Sequence, residues 1–297
     1  MEVIKVKGNT FCIDTGMTYI PFYKINDEEI IMMDTGWKQG EREGIDKVLE
    51  HNGFKVSGIL CTHSHIDHIG NNAHLKEKYN AIIAMPAYEA HICSSTVNLK
   101  LFYSNQNILE IVEHYGHMVC ETDIMIENNQ DKIYLCGIKF KIIHTPGHSP
   151  AHICIVTPDN VAYLGDALIS YEVMRGSKLP YCFILREALE SKEKLHNLKC
   201  SKYIVAHKGI FEDIANLIND NNDFFKEISV KVYNVIIGPM TMEEIMRAVI
   251  SEFKISVKTI YKYNVLERML RSYVEYLNET GVIDLVMEDG FLKYIRS

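Results

Sequence analysis

Within six residues, His63-Ser64-His65-Ile66-Asp67-His68, the chain places three imidazoles and one carboxylate. Imidazole nitrogen and carboxylate oxygen are the donors that bind divalent cations. The chemistry they point to is metal-assisted hydrolysis, in which a cation acidifies a water and polarises a carbonyl or phosphoryl oxygen. His63 and His65, two apart in an extended segment, can reach toward one ion, and Asp67 and His68 can turn toward a second. A pair of ions needs more ligands, and three later strand ends offer them. His148 follows the Pro146-Gly147 turn, Asp166 follows Leu164-Gly165, and His207 follows Val205-Ala206. Asp166, with two oxygens, can bridge two cations.

These residues need strands to aim them. Val56 to Cys61 is an apolar run suited to a buried strand, and Ala73 to Lys78 after the motif tolerates a helix, so the hexapeptide reads as a strand-to-helix loop. Residues 1 to about 36 alternate between β-rich runs and turns, an antiparallel meander. A helix is expected from Gln39 to Asn52, stopped by Gly53. Ala81 to Ala84 reads as another buried strand, and Pro86 to Tyr115 as mostly helical. The β pattern returns over Lys132 to Ala167, then come an amphipathic helix from Leu185 to Lys199 and a strand at Tyr203 to Ala206. Two β-rich halves, each followed by helices, predict two sheets packed face to face with helices outside, an α+β fold of αββα layers.

Beyond Asn222 the character changes. Phe224 to Val235 and Thr241 to Phe253 read as helices, the second opened by a Thr241/Glu244 capping box. Ser256 to Tyr263 and Asn264 to Glu279 read as a third and a fourth, and Val282 to Ile295 as a hairpin turning at Glu288-Asp289-Gly290. Helices followed by a hairpin spell a winged helix. The expected organisation is a catalytic domain over residues 1–221 and a winged-helix-like domain over 222–297.

Bulk composition narrows the partners. The 297 residues can bury a full core, and a net charge of −8 gives no global attraction to nucleic acid or to an anionic membrane. The eight cysteines are scattered without a C-x-x-C pair and read as reduced thiols of a cytoplasmic protein. Neither a signal-peptide pattern at Met1 to Lys7 nor a membrane-length apolar run is expected. The sequence leaves the oligomeric state open, a homodimer included.

H-x-H-x-D-H, then Pro146-Gly147-His148, Gly165-Asp166 and the strand-end His207, in that order over about residues 9 to 210, resemble the metallo-β-lactamase superfamily. The resemblance implies that His63, His65 and His148 bind one metal, that Asp67, His68 and His207 bind a second, and that Asp166 bridges them. Asp34, in Asp34-Thr35-Gly36, matches an early element of that superfamily and is expected to support the ligands. The implied nucleophile is a hydroxide bridging the metals, with Asp67 also orienting the water or relaying its proton. Two divalent ions are implied, zinc first, with iron or manganese as alternatives. The tail adds a narrower resemblance, to the β-lactamase-like protein 2 group and its bacterial members. Those proteins carry Gly after the last ligand where this chain has Lys208, a charge expected near the second metal.

The function so implied is hydrolysis of a small-molecule ester, thioester or lactone. The alternative is cleavage of single-stranded RNA, which the tail's resemblance suggests and for which Lys254, Lys258, Lys262, Arg268 and Arg271 form a local excess. Residues 241–297 nevertheless hold 8 basic and 9 acidic side chains, the balance of an ordinary solvated surface. Forty residues separate Asp166 from His207, too few for a large inserted nucleic-acid-processing domain. A one-iron persulfide dioxygenase is a less favoured reading, and a winged-helix regulator with a sensory metal domain is the non-enzymatic one. His152 is expected to be packed near the site rather than to bind metal. Tyr171, Lys178 and Tyr181 are expected near its mouth.

Overall fold

Short turns join the first strands and helices join the later ones, and that difference sets their directions. The computed structural model describes residues 1–297. Its first sheet has seven strands in sequence order: β1 (Glu2–Lys7), β2 (Thr10–Asp14), β3 (Tyr19–Lys24), β4 (Glu29–Met33), β5 (Lys55–Leu60), β6 (Ile82–Pro86) and β7 (Ile124–Ile126). Strands β1 to β4 pair antiparallel, as the expected meander requires. From β4 to β7 the pairs are parallel, because a parallel step needs a long crossover. Those crossovers carry α1 (Lys38–His51), then α2 (Ile66–Ile69) and α3 (Asn72–Tyr79), then α4 (Ala87–Ile92), α5 (Thr96–Phe102) and α6 (Ile108–Tyr115).

The second sheet comprises β8 (Lys132–Leu135), β9 (Ile138–His144), β10 (Ile153–Val156), β11 (Val161–Tyr163), β12 (Lys202–Val205) and β13 (Gly209–Phe211), in spatial order β13-β12-β11-β10-β9-β8. Only β11 and β12 run parallel, and their crossover carries α7 (Tyr171–Gly176) and α8 (Leu185–Lys194). Side chains alternate between faces along each strand. On β4, Ile30 and Met32 pack under α1 with Ile45 and Leu49, while Ile31 and Met33 join Phe140, Ile142, Ile155 and Tyr163 between the sheets. Strands covered on both faces carry apolar residues on both, which is why these runs are nearly continuous. Leu195, Leu198, Leu217 and Ile218 cover the outer face of the second sheet. The expected αββα layering is therefore present.

The C-terminal region contains α9 (Ala215–Val235), α10 (Met242–Glu252), α11 (Ile260–Glu279) and a hairpin of β14 (Ile283–Glu288) and β15 (Phe291–Arg296). Thr241 and Glu244 form the capping box. The division anticipated at 221/222 falls inside α9. Asn221 and Asn222 find partners within the helix packing: Asn221 bonds the backbone of Ile169 and Leu217, and Asn222 donates to Glu193. One apolar cluster runs from Leu179, Leu185 and Leu189 to Phe225, Ile245, Leu270 and Tyr273. A second difference concerns the third and fourth C-terminal helices. Residues 256–258 are not helical, and a single helix, α11, starts after Thr259, whose hydroxyl accepts the Lys262 N–H at 3.1 Å. Asn264 had marked a helix start, but the propensity penalty of one Asn is under about 1 kcal/mol, and burial of Leu266 and Leu270 overrides it. No helix is long and apolar enough to cross a membrane.

Candidate metal centre

All seven anticipated ligand residues sit just beyond the carboxyl ends of strands, five in connecting loops and Asp67 and His68 on the short helix α2, where the backbone is anchored and the side chains are free to converge. His63, His65, Asp67 and His68 follow β5, His148 follows β9, Asp166 follows β11, and His207 lies between β12 and β13. Two turns need glycine. Gly147 has φ +119°, and a Cβ there would lie 2.1 Å from the backbone nitrogen of Ala188 on α8; Gly165 has φ +50°, and a Cβ would lie 2.6 Å from His152. Either substitution would displace the candidate ligand next to it, His148 or Asp166.

The structure brings the seven together in two adjacent groups. His63, His65, His148 and Asp166 offer donor atoms within 4.8 Å of one another, and so do Asp67, His68 and His207. His63 Nε2 is 2.9 Å from His65 Nδ1, which is 3.0 Å from His148 Nε2. A neutral imidazole has one N–H, and the other nitrogen of His63 faces the Thr62 hydroxyl at 2.9 Å. Three ring nitrogens converging in this way share too few protons to satisfy each other, and a cation answers all three. On the other side, Asp166 Oδ2 lies 3.2 Å from His148 and 3.5 Å from His207, and Asp67 lies 3.3 Å from His207.

Two buried atoms test whether a cation fits. His68 Nε2 and Asp166 Oδ1 have no hydrogen-bond partner and lie 3.4 Å apart. The His68 Nδ1–H donates to Asp34 at 2.8 Å, so its Nε2 is left to face the site. Orphaned buried polar atoms are costly, and a divalent ion between them removes the cost. The residues present therefore suit a divalent cation.

Electrostatics agree. Burial, reinforced by neighbouring imidazoles, lowers the pKa of His63 and of His65, so both are neutral and able to donate a lone pair. For His68 burial acts downward, but the Asp166 and Asp67 carboxylates outweigh it and raise the pKa. Asp166 likewise raises His207, to about 10. Asp67 and Asp166 are both lowered: burial opposes ionisation, but His68 and His207 prevail. The field that holds a proton on these imidazoles is the field that attracts a cation.

Two buried carboxylates fix the loops. Asp34 accepts from the Thr62 N–H and hydroxyl at 2.7 Å each, from His68 at 2.8 Å and from the Tyr163 hydroxyl at 2.8 Å. It also lies close to His63 and His68 as a possible metal ligand, but these four donors occupy it, so it orients His68 instead. The other carboxylate, Glu89 on α4, has no anticipation in the sequence. It is fully buried and accepts from Ser64 N–H (3.0 Å), the Ser64 hydroxyl (2.6 Å), the Ser149 hydroxyl (2.6 Å) and Ala151 N–H (2.8 Å). One side chain thus ties the loop of His63 and His65 to the loop of His148. His152 is packed as expected; its Nε2 accepts the Asp166 N–H at 3.0 Å and its Nδ1 faces the Thr145 hydroxyl at 2.8 Å.

The centre opens into a cavity of about 310 Å³ lined by Tyr103, Tyr115, Tyr181 and Tyr261, by Arg268, and by apolar residues such as Leu179 and Met269. Of the three mouth residues anticipated, only Tyr181 belongs to it, its ring 5.1 Å from His65 and 5.5 Å from His148. Tyr171 instead bonds Asp220, and Lys178 the backbone of Lys254. A larger groove of about 570 Å³ lies across Tyr181 and Arg268 from the centre, between Phe102, Phe183 and the Glu267–Glu279 face of α11.

Comparisons with known proteins agree with this geometry. A protein of Aquifex aeolicus described as uncharacterized is 31% identical over 150 residues, half of this chain and 63% of its own length. The hydroxyacylglutathione hydrolase of Pelagibacter ubique is 27% identical over 180 residues, 56% of this chain and 63% of its own. The chain thus spans less than two thirds of the length of these relatives. Among solved structures, a metallo-beta-lactamase family protein from Thermus thermophilus superposes with a TM-score of 0.72 at 17% identity, covering 100% of this chain and 98% of that one, a likeness of fold. The model of the metallo-beta-lactamase superfamily matches residues 13–207, which reach from the second strand to the last of the converging histidines. The chain belongs to the metallo-beta-lactamase superfamily.

Proposed function

We propose that the protein is a metal-dependent hydrolase of a small-molecule ester, thioester or lactone. Its ligands would be His63, His65 and His148 for one divalent ion and Asp67, His68 and His207 for a second, with Asp166 reaching both. Zinc is the first expectation, with iron or manganese as alternatives. The observation that carries this reading is the pair of orphaned atoms, His68 Nε2 and Asp166 Oδ1, buried together at the floor of the cavity. The ions would supply Lewis-acid polarisation of the substrate carbonyl and acidification of water. Asp67, held ionised beside His68 and His207, would accept a hydrogen bond from the attacking water and orient it. The apolar wall limits water around the reacting bond.

A thioester is favoured among these substrates because several relatives bear the name hydroxyacylglutathione hydrolase. A cavity of about 310 Å³ is at the small-molecule end of the range for ligand sites. The RNA reading draws less support: of the tail's basic residues, Arg268 turns into the cavity and Arg271 pairs with Glu267 at 2.8 Å. We further propose that residues 222–297 form a winged-helix-like unit of the kind in the β-lactamase-like protein 2 group. Residence in the cytoplasm is supported by eight free thiols. The test is metal analysis of the purified protein followed by a screen of thioesters, lactones, phosphodiesters and single-stranded RNA, with and without chelator. Chelator-sensitive thioester or lactone turnover is expected, and full turnover by metal-free protein would end the proposal.

A further inference from the structure

We infer that Arg268 recognises an anionic group, a carboxylate or a phosphate, that the substrate carries away from its scissile bond; the inference rests on the hydrolase reading and names a substrate class for it. Arg268 projects from α11 into the cavity of the metal centre. Its guanidinium carbon lies 4.3 Å from the ring centroid of Tyr103, 5.0 Å from Phe102 and 5.4 Å from Tyr181. Its one hydrogen bond is donated to the Tyr181 hydroxyl at 3.0 Å. No carboxylate pairs with it, whereas Arg186 on α8 and Arg271, one turn further along α11, pair with Glu279 and Glu267. The acidic residues of the same cavity face imidazoles instead, Asp67 that of His207 and Asp166 those of His148 and His207.

A half-buried guanidinium without a counter-charge is costly unless something replaces its lost water. The aromatic rings meet part of that cost through cation–π contact. They offer no charge and accept only one of its N–H groups, through the Tyr181 hydroxyl, so the other donors of the fork remain for a carboxylate or phosphate. Tyr181 spans from the rings of His65 and His148 to this fork, so an anion seated there would hold the rest of a short substrate over the metal ligands. Ile169, Val173, Leu179 and Met269 on the cavity wall would cover the apolar length between.

Binding is tested first without turnover, by calorimetric titration of metal-free wild-type and R268Q protein with glutarate and, separately, with inorganic phosphate. One or both anions should bind the wild type, with affinity falling about ten- to a hundredfold in R268Q, the range for a charge-assisted bond. The anion that depends on Arg268 identifies the source. R268K keeps the charge and length but not the fork; it should bind at an intermediate level, and it takes the place of R268Q if that variant does not fold. In the metal-loaded enzyme, kcat/KM is compared for a thioester with a terminal carboxylate and for its uncharged amide. The wild type should prefer the charged substrate by about tenfold or more, mainly through KM, and R268Q should lose the preference. Equal anion affinity in wild type and variants, or equal losses on charged and uncharged substrates, overturns the inference. Arg268-dependent binding with no turnover of any substrate would instead overturn the hydrolase reading and leave the anion site standing.

Discussion

The floor and the roof of the cavity are built by opposite means. The floor is made of strand-end segments tied together by two buried carboxylates: Asp34 accepts from Thr62, His68 and Tyr163, and Glu89 accepts from Ser64, Ser149 and Ala151. Its backbone is unusual as well, with left-handed φ at Asp34, Gly147, Gly165 and Lys208. The roof consists of α11 and the segment around Tyr181, has no left-handed residue among those lining the cavity, and is held by ring contacts, the Arg268–Tyr181 bond and the bonds of Asn105 to Asn264 and Glu267. A floor of satisfied donors has one arrangement and suits the fixed geometry a metal demands. A roof of stacked rings can shift at little cost and suits substrate selection.

If that contrast is right, floor variants lose metal and roof variants lose selectivity. The largest effect is expected for His65→Ala and Asp166→Ala, each of which removes a donor at the convergence point. Hydrolysis should fall to background and metal content should drop in proportion. Undiminished turnover by either, measured on a metal-loaded sample, would contradict the ligand assignment. Glu89→Gln comes next. It touches no ligand, yet its amide would turn an N–H toward groups that now donate. Metal affinity should weaken about 10- to 100-fold, as for other groups that orient ligands, measured by competition with a chromophoric chelator. A Glu89→Gln protein that binds metal normally but changes substrate preference would reverse the contrast between floor and roof.

The two regions also differed in how much of them could be read from the chain. The floor was visible because four of the seven candidate ligands lie in one hexapeptide and the other three sit at strand ends, where turn residues and apolar runs mark the position. Glu89 left no such mark: it is one acidic residue on a short helix, and its partners Ser64 and Ser149 lie 25 and 60 residues away. Of the roof only Tyr181 was anticipated, since Tyr103, Tyr261 and Arg268 join it only after distant segments pack. Arg268 was counted among the surface basic residues because helical spacing cannot tell an outward arginine from one drawn inward by aromatic faces. Likewise Asn264 suggested a helix break from its local preference, which burial of its neighbours overrides. Pattern reports the directions in which strands and helices point, and only packing reports which distant side chains meet.

The smallest effect concerns Lys208, beside the last ligand. Its φ of 62° is a conformation that costs a residue with a Cβ about 1–2 kcal/mol, which gives a backbone reason for the glycine that the β-lactamase-like protein 2 group carries there. Lys208→Gly should relieve that strain, and the greater freedom of glycine in the unfolded chain should return about 0.4–1 kcal/mol of the gain. The net is a stabilisation of about 0.5–1 kcal/mol, or a rise of roughly 1–4 °C in melting temperature for a chain of this size, read by thermal denaturation of the metal-free protein. Lys208→Gln removes the charge but keeps the strain, so it separates the two effects. If Gln and Gly shift the melting temperature equally, the charge beside His207 is what matters. If Gly alone raises it, the floor carries a conformational cost at the residue next to a ligand, as strained backbone does at functional sites, and the roof has no counterpart.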